Sequence, residues 1–198
     1  MSIENPTTPG QAYVPLRLAG RPLALKGMVL ALGIAFLTAS SWVQVPMWPV
    51  PMTMQTFAVM MVGALCGWRL GVATVAAWLA LSVPFPLLSE FKTLPMVLTT
   101  SGYLAAFVIM AGFVGFMAER GWTARVVPAL VTLLIAEAIC FALGVAYLGS
   151  VIGYDKAVQF GLTPFILGDL LKTALAVALL TVFRRMLPTG KAGIDSFN

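Results

Sequence analysis

Residues 27–68 read GMVLALGIAFLTASSWVQVPMWPVPMTMQTFAVMMVGALCGW, 42 residues between Lys26 and Arg69 without one formal charge. A helix needs about 20 apolar residues to cross a bilayer, so this run is long enough to cross twice and must turn once. Pro46, Pro49 and Pro51 mark the turn, because closely spaced prolines remove backbone donors and disfavour helix. The pattern predicts a first span near 27–44 and a second running to about Trp68. Further apolar runs predict spans from Leu70 to about Leu87, Ser101 to Ala118, Val126 to Leu148 and Pro164 to Phe183. The expected fold is all-α: a six-helix membrane domain over 27–187, an N-terminal arm over 1–26 and a tail over 188–198.

Composition agrees. The 198 residues are 60% hydrophobic and 10% charged, where a soluble domain carries about a quarter charged residues. Twelve Lys and Arg against seven Asp and Glu leave a net charge of +5. The basic residues sit between apolar runs and form no cationic stripe, which speaks for membrane orientation and anionic lipid and against nucleic acid. Nine fall on the side of the termini (Arg17, Arg21, Lys26, Arg69, Arg120, Arg125, Arg184, Arg185, Lys191), two on the other (Lys92, Lys156), and Lys172 lies within a span. Basic residues accumulate in short cytoplasmic loops, so both termini are expected in the cytoplasm, with the Pro-rich and Glu90–Lys92 loops outside.

There is no histidine, which removes the usual general base and zinc ligand and leaves little equipment for hydrolysis or redox work. No catalytic residue, metal or cofactor is expected. Cys66 and Cys140 fall inside apolar runs and read as small buried hydrophobes.

Two charges, Asp169 and Lys172, stand inside the last span. Each costs about 2.5–3.5 kcal/mol on insertion scales, so something compensates them. At a spacing of three they share a helix face. Two readings are open: a structural ion pair, or a binding pair for a small molecule with a polar, anionic head. With the span entering at about Pro164, Asp169 lies about 8 Å deep and Lys172 about 12 Å, in the outer half of the membrane. Glu137, near the middle of the fifth span, has no opposite charge at helical spacing; it is a protonated structural group or part of a proton path.

The Pro-rich loop carries Trp48 with Gln44, Thr53, Gln55 and Thr56 close by. Such a stiff loop can lid a pocket, its polar groups recognising a ligand, or Trp48 anchors the bundle at headgroup level. Thr99-Thr-Ser-Gly-Tyr103 adds hydroxyls and an aromatic on the same side, with Gly102 allowing close approach to a ligand or a neighbouring helix. In the first span, Ala31, Ala35 and Ala39, one step on from Gly27, form a stripe almost without bulk. That stripe either packs inside the bundle or docks a separate membrane subunit.

Taken together, Val45-Pro-Met-Trp-Pro-Val-Pro-Met-Thr-Met-Gln-Thr-Phe57 and Gly161-x-x-Pro-Phe-x-x-Gly-Asp-x-x-Lys172 resemble the BioY family, the biotin-specific S components of energy-coupling-factor transporters. The resemblance runs from about Leu25 to Leu187. The chain departs from it at Thr99-Thr-Ser-Gly-Tyr103, where the family often has Pro-Thr-Gly-Gly-Tyr, and at Ser82-Val-Pro-Phe-Pro86, where it has Gly-Leu-Pro. The resemblance implies capture of biotin from outside and delivery inward across a bacterial inner membrane, with a transmembrane coupling subunit and two cytoplasmic ATPases as partners. It implies substrate binding by Asp169, Lys172, Gln55, Thr53, Trp48 and Tyr103, and contact of Ala31, Ala35 and Ala39 with the coupling subunit. The chain has no GxxxxGKS/T phosphate loop of its own. Biotin's chemistry fits in more than one orientation: Asp169 can accept from its ureido N–H groups or Lys172 can hold its carboxylate, with Gln55 and Thr53 completing the polar set. An S component for another vitamin, a solitary carrier, an intramembrane enzyme using Ser/Lys or carboxylate pairs, and an assembly protein without ligand are the competing readings.

Overall fold

The computed structural model describes residue 16, residues 21–85, residue 87 and residues 94–186. Most of the expected arm 1–26, the Glu90–Lys92 loop and the tail 188–198 lie outside the described residues. In chain order the elements are α1 (Leu23–Trp42), β1 (Gln44–Val45), β2 (Met52–Thr53), α2 (Gln55–Ser82), α3 (Leu94–Glu119), a 3-10 turn (Trp122–Ala124), α4 (Val126–Ile152), α5 (Tyr154–Gly161) and α6 (Phe165–Met186). Five helices, α1, α2, α3, α4 and α6, are long and apolar enough to cross a membrane.

The expected second and third spans fall within the single element α2. At Gly67 the backbone leaves the helix, with φ 79° and ψ 174°, a region essentially reserved for glycine. The chain doubles back there. A Cβ placed on Gly71 would lie 3.2 Å from the Gly63 Cα, whereas eight residues along one straight helix are about 12 Å apart. The limbs 55–66 and 68–82 therefore lie against each other, in contact where neither residue has a side chain. The reversal falls one residue before the expected boundary at Trp68. Arg69 follows directly, its guanidinium over the Trp68 ring, and the Trp68 N–H donates to Glu119 Oε1 at 3.1 Å.

Other boundaries shift for local reasons. Helix α1 begins at Leu23, inside the expected arm, because Leu23, Ala24 and Leu25 are strong helix formers and the Leu25 N–H already donates to the Pro22 carbonyl. Helix α3 begins at Leu94, before the expected Ser101; Pro95 sits in its first turn, where a missing N–H costs nothing. Helix α5 was not anticipated: Asp155, Lys156 and Gln159 give it the composition of a loop.

Helix α2 packs mainly on α3, α3 on α4, and α6 on both α2 and α4; α1 rests on α2. Trp78, Leu37, Met60, Met110, Leu133 and Leu148 are fully buried between them, and Trp78 Nε1 donates to Thr38 Oγ1 at 3.2 Å. The patterning of α6 is inverted relative to a soluble helix. Asp169, Lys172 and Thr173 are buried while Leu167, Leu170, Leu171 and Leu175 are exposed. A charged interior under a leucine exterior is stable only where hydrocarbon surrounds the helix, so this is a multi-pass membrane protein.

Candidate functional site

The loop that the prolines break out of the helical pattern forms a two-stranded antiparallel hairpin, Gln44 opposite Thr53 and Val45 opposite Met52. Three contacts seat it on the bundle. Thr99 Oγ1 of α3 donates to the Pro49 carbonyl at 2.9 Å, the Met54 N–H donates to the Val43 carbonyl at 3.0 Å, and the thioether of Met52 packs over Gly168 of α6. The hairpin thus presents Val50 and Pro51 to a cavity between α2, α3, α4 and α6.

The cavity is narrow in this structure, with about 40 Å³ of free interior space and an open mouth. Asp169 and Lys172 line it. Lys172 Nζ donates to Asp169 Oδ1 at 2.6 Å, with side chains only 8% and 5% exposed for the lysine and the aspartate. Thr56 completes a triangle: its hydroxyl donates to Asp169 Oδ1 at 3.3 Å and accepts from Lys172 at 3.5 Å. Thr53 and Gln55 also line the cavity, the Thr53 hydroxyl donating to Gln55 Oε1 at 2.7 Å. Leu104, Phe107, Phe141 and Phe165 supply apolar wall.

Tyr103 lies in that wall, but its hydroxyl is committed. It donates to the Gly161 carbonyl at 2.9 Å, so it offers the cavity a ring face. Gly102 serves a neighbouring helix, since a Cβ there would strike Tyr147 of α4. Trp48 stands apart: it is 71% exposed and does not line the cavity. Gln44 is taken up in the hairpin pairing and is not part of the lining either.

Thr56, one of the polar groups near the loop expected to recognise a ligand, lines the cavity and bridges both members of the charged pair. One group was not brought to the cavity by sequence reasoning. Glu137, for which the sequence offers no partner on its own helix, enters the cavity from α4. A clue existed in the stripe Leu133, Ala136, Glu137, Cys140, Gly144, which sets Glu137 on the buried face at helical spacing. Cys140 lines the cavity as well, and Cys66 is half-buried; both are free thiols.

Away from the cavity, Gly27, Ala31, Ala35 and Ala39 are all exposed. The small-residue stripe of α1 points out of the bundle.

These features define a class: a helical membrane protein whose bundle holds a charge-lined cavity under a hairpin. The model of the BioY family matches residues 16–189, and the chain belongs to that family. Among its relatives, the biotin transporter BioY of Thermotoga maritima is 32% identical over 72% of this chain and 85% of its own length. The probable biotin transporter BioY of Pyrococcus horikoshii is 30% identical over 75% of this chain and 90% of its own. The crystal structure of the S-component for biotin from an ECF-type ABC transporter superposes with a TM-score of 0.70 at 24% identity, covering 84% of this chain and 95% of that one; it supports the fold.

Proposed function

We propose that this chain captures biotin as the substrate-binding S component of an energy-coupling-factor transporter in a bacterial cell membrane. The observation that carries the reading is the buried Asp169–Lys172–Thr56 triangle in an aromatic-walled cavity, in a member of a family whose named relatives are biotin transporters. Biotin needs acceptors for two ureido N–H groups, a donor for its carbonyl, apolar wall for its fused rings and a cation for its valerate carboxylate. Asp169, Lys172, Thr53 and Gln55 supply the polar set, and Tyr103 supplies a ring face. Two or three charge-assisted hydrogen bonds at about 1.5–3 kcal/mol each, with apolar burial, suffice for nanomolar affinity. Trp48, outside the cavity, acts as an anchor at the headgroups.

The two limbs of α2 count as separate passes in this reading, making six. Arg69, Arg120, Arg125, Arg184 and Arg185, with Arg21 and Lys26 at the start of α1, gather at the Gly67 end, against Lys156 at the hairpin end. By the positive-inside rule the Gly67 end and both termini are cytoplasmic and the hairpin faces outside. The exposed stripe of Gly27, Ala31, Ala35 and Ala39 lets a second membrane helix approach closely, which suits a transmembrane coupling subunit. Two ATPases attached to that subunit supply the energy.

The test is titration of the purified, folded chain with biotin, and competition by unlabelled thiamine and riboflavin. Sub-micromolar biotin binding that neither competitor displaces is expected. A folded protein that ignores biotin, or prefers another vitamin, overturns the reading.

A further inference from the structure

Glu137 is the one charged group lining the cavity to which the triangle gives no role. It is 5% exposed, and among the described residues neither of its carboxylate oxygens has a hydrogen-bond partner. The groups that face it are Asp169 and Lys172 of α6, Thr56 of α2 and Cys140 of its own helix. Thr56 alone is near enough to act on Glu137 as a donor, and its hydroxyl is claimed by Asp169. The Lys172 ammonium donates to Asp169 at 2.6 Å and to Thr56 at 3.5 Å. Thr56 has a single O–H, which donates to Asp169, and a thiol is a weak donor. A carboxylate removed from water without a donor is costly, and the one cation that faces it, Lys172, is already paired with Asp169.

The solute supplies what is missing. The two N–H groups of a cyclic urea flank its carbonyl and diverge, so one carboxylate cannot accept both. They need acceptors on two separate elements. Asp169 on α6 and Glu137 on α4 are two carboxylates on packed helices lining one cavity. We propose that Glu137 is a specificity residue that accepts one ring N–H of the urea, while Asp169 accepts the other. This rests on the biotin reading of the site and deepens it: the pocket is built for a ring with two divergent donors.

The experiment compares full-length wild type, Glu137→Gln and Glu137→Asp, purified in the same detergent. Each is titrated with biotin and with 2-iminobiotin, whose ring is a guanidinium cation at neutral pH, and each is melted without ligand. In Glu137→Gln, biotin affinity is expected to fall at least tenfold and 2-iminobiotin affinity several-fold further, because the lost carboxylate penalises the cation more. Glu137→Asp keeps the wild-type ratio of the two affinities. Without ligand, Glu137→Gln melts at or above the wild-type temperature, since it relieves an unpartnered carboxylate. Wild-type affinities and ratio in Glu137→Gln overturn the assignment, as does a variant that loses stability together with binding, which marks a structural role. Failure of the biotin reading shows separately, as absence of biotin binding by the wild type.

Discussion

Whether Asp169 and Lys172 are kept for the fold or for the solute is decided by removing them together. The pair is a 2.6 Å contact between side chains only 5% and 8% exposed, so Asp169→Asn or Lys172→Met alone leaves a buried charge without its counterion. Such a break costs about 3–5 kcal/mol, whereas replacing both members of a buried pair by neutral groups of similar volume is often neutral. In detergent, each single variant should melt well below wild type and Asp169→Asn/Lys172→Met close to it. Binding behaves differently. If each residue gives biotin one charge-assisted hydrogen bond of about 1.5–3 kcal/mol, the double variant loses about 3–6 kcal/mol, or roughly two to four decades in Kd. Thermal melts and biotin titrations on the same four preparations separate the effects. A double variant that melts like wild type and binds biotin with an unchanged Kd would refute the reasoning, because the pair would then serve only to neutralise itself.

Gly67→Ala forces an L-residue into φ 79°, ψ 174° and should lower stability by about 1–3 kcal/mol; a melting temperature equal to wild type would show that the hairpin of helices does not turn there. Replacing Ala31, Ala35 and Ala39 together by Leu fills the exposed stripe of α1, so biotin affinity of the isolated chain should stay within twofold while copurification of the coupling subunit and cellular uptake are lost. Uptake that survives moves the docking face elsewhere. In a Cys66→Ala background, a membrane-impermeant maleimide applied to whole cells should label Lys156→Cys and spare Arg120→Cys until the cells are permeabilised; the reverse pattern inverts the proposed orientation.

What the sequence revealed tracks how local each signal is. Asp169 and Lys172 were legible because a charge in an apolar run stands out by itself and a spacing of three fixes a shared face. The Pro-rich break was legible for the same reason, although its hairpin pairing was not: register between two-residue strands is set by the contacts of Thr99 and Met52 with the bundle. Glu137 stayed unplaced because every group it faces lies on other helices, apart from Cys140. Trp48 was a candidate by its position in the loop, but which side of a hairpin meets the cavity follows only once the hairpin is seated, and Val50 and Pro51 take that side. The alanine stripe showed a lack of bulk; that it faces outward depends on where α1 lies against α2.

The cavity's position at one end of the bundle follows from a gradient of side-chain size. On α3 the stripe 103, 107, 111, 115 reads Tyr, Phe, Ala, Gly, and on the first limb of α2 the positions 56, 60, 63, 67 read Thr, Met, Gly, Gly. At the small end the backbones touch: a Cβ on Gly63 would lie 2.7 Å from the Ala111 carbonyl oxygen, and one on Gly115 would lie 2.5 Å from the Trp68 nitrogen. In hydrocarbon there is no hydrophobic drive between helices, so this close approach is a main source of association. At the other end Tyr103 and Phe107 line the cavity, the Tyr103 ring lying on Gly144 of α4, and Thr56, Asp169, Lys172 and Glu137 line it with them. The α2–α3 contact is therefore closed where glycine and alanine meet, and the cavity lies where the same stripes carry larger and polar side chains. Polar groups that would be intolerable in the closed part are accommodated there, because the triangle satisfies them. One arrangement of large and small residues along the inner stripes thus determines both how the bundle holds together and where it opens a site.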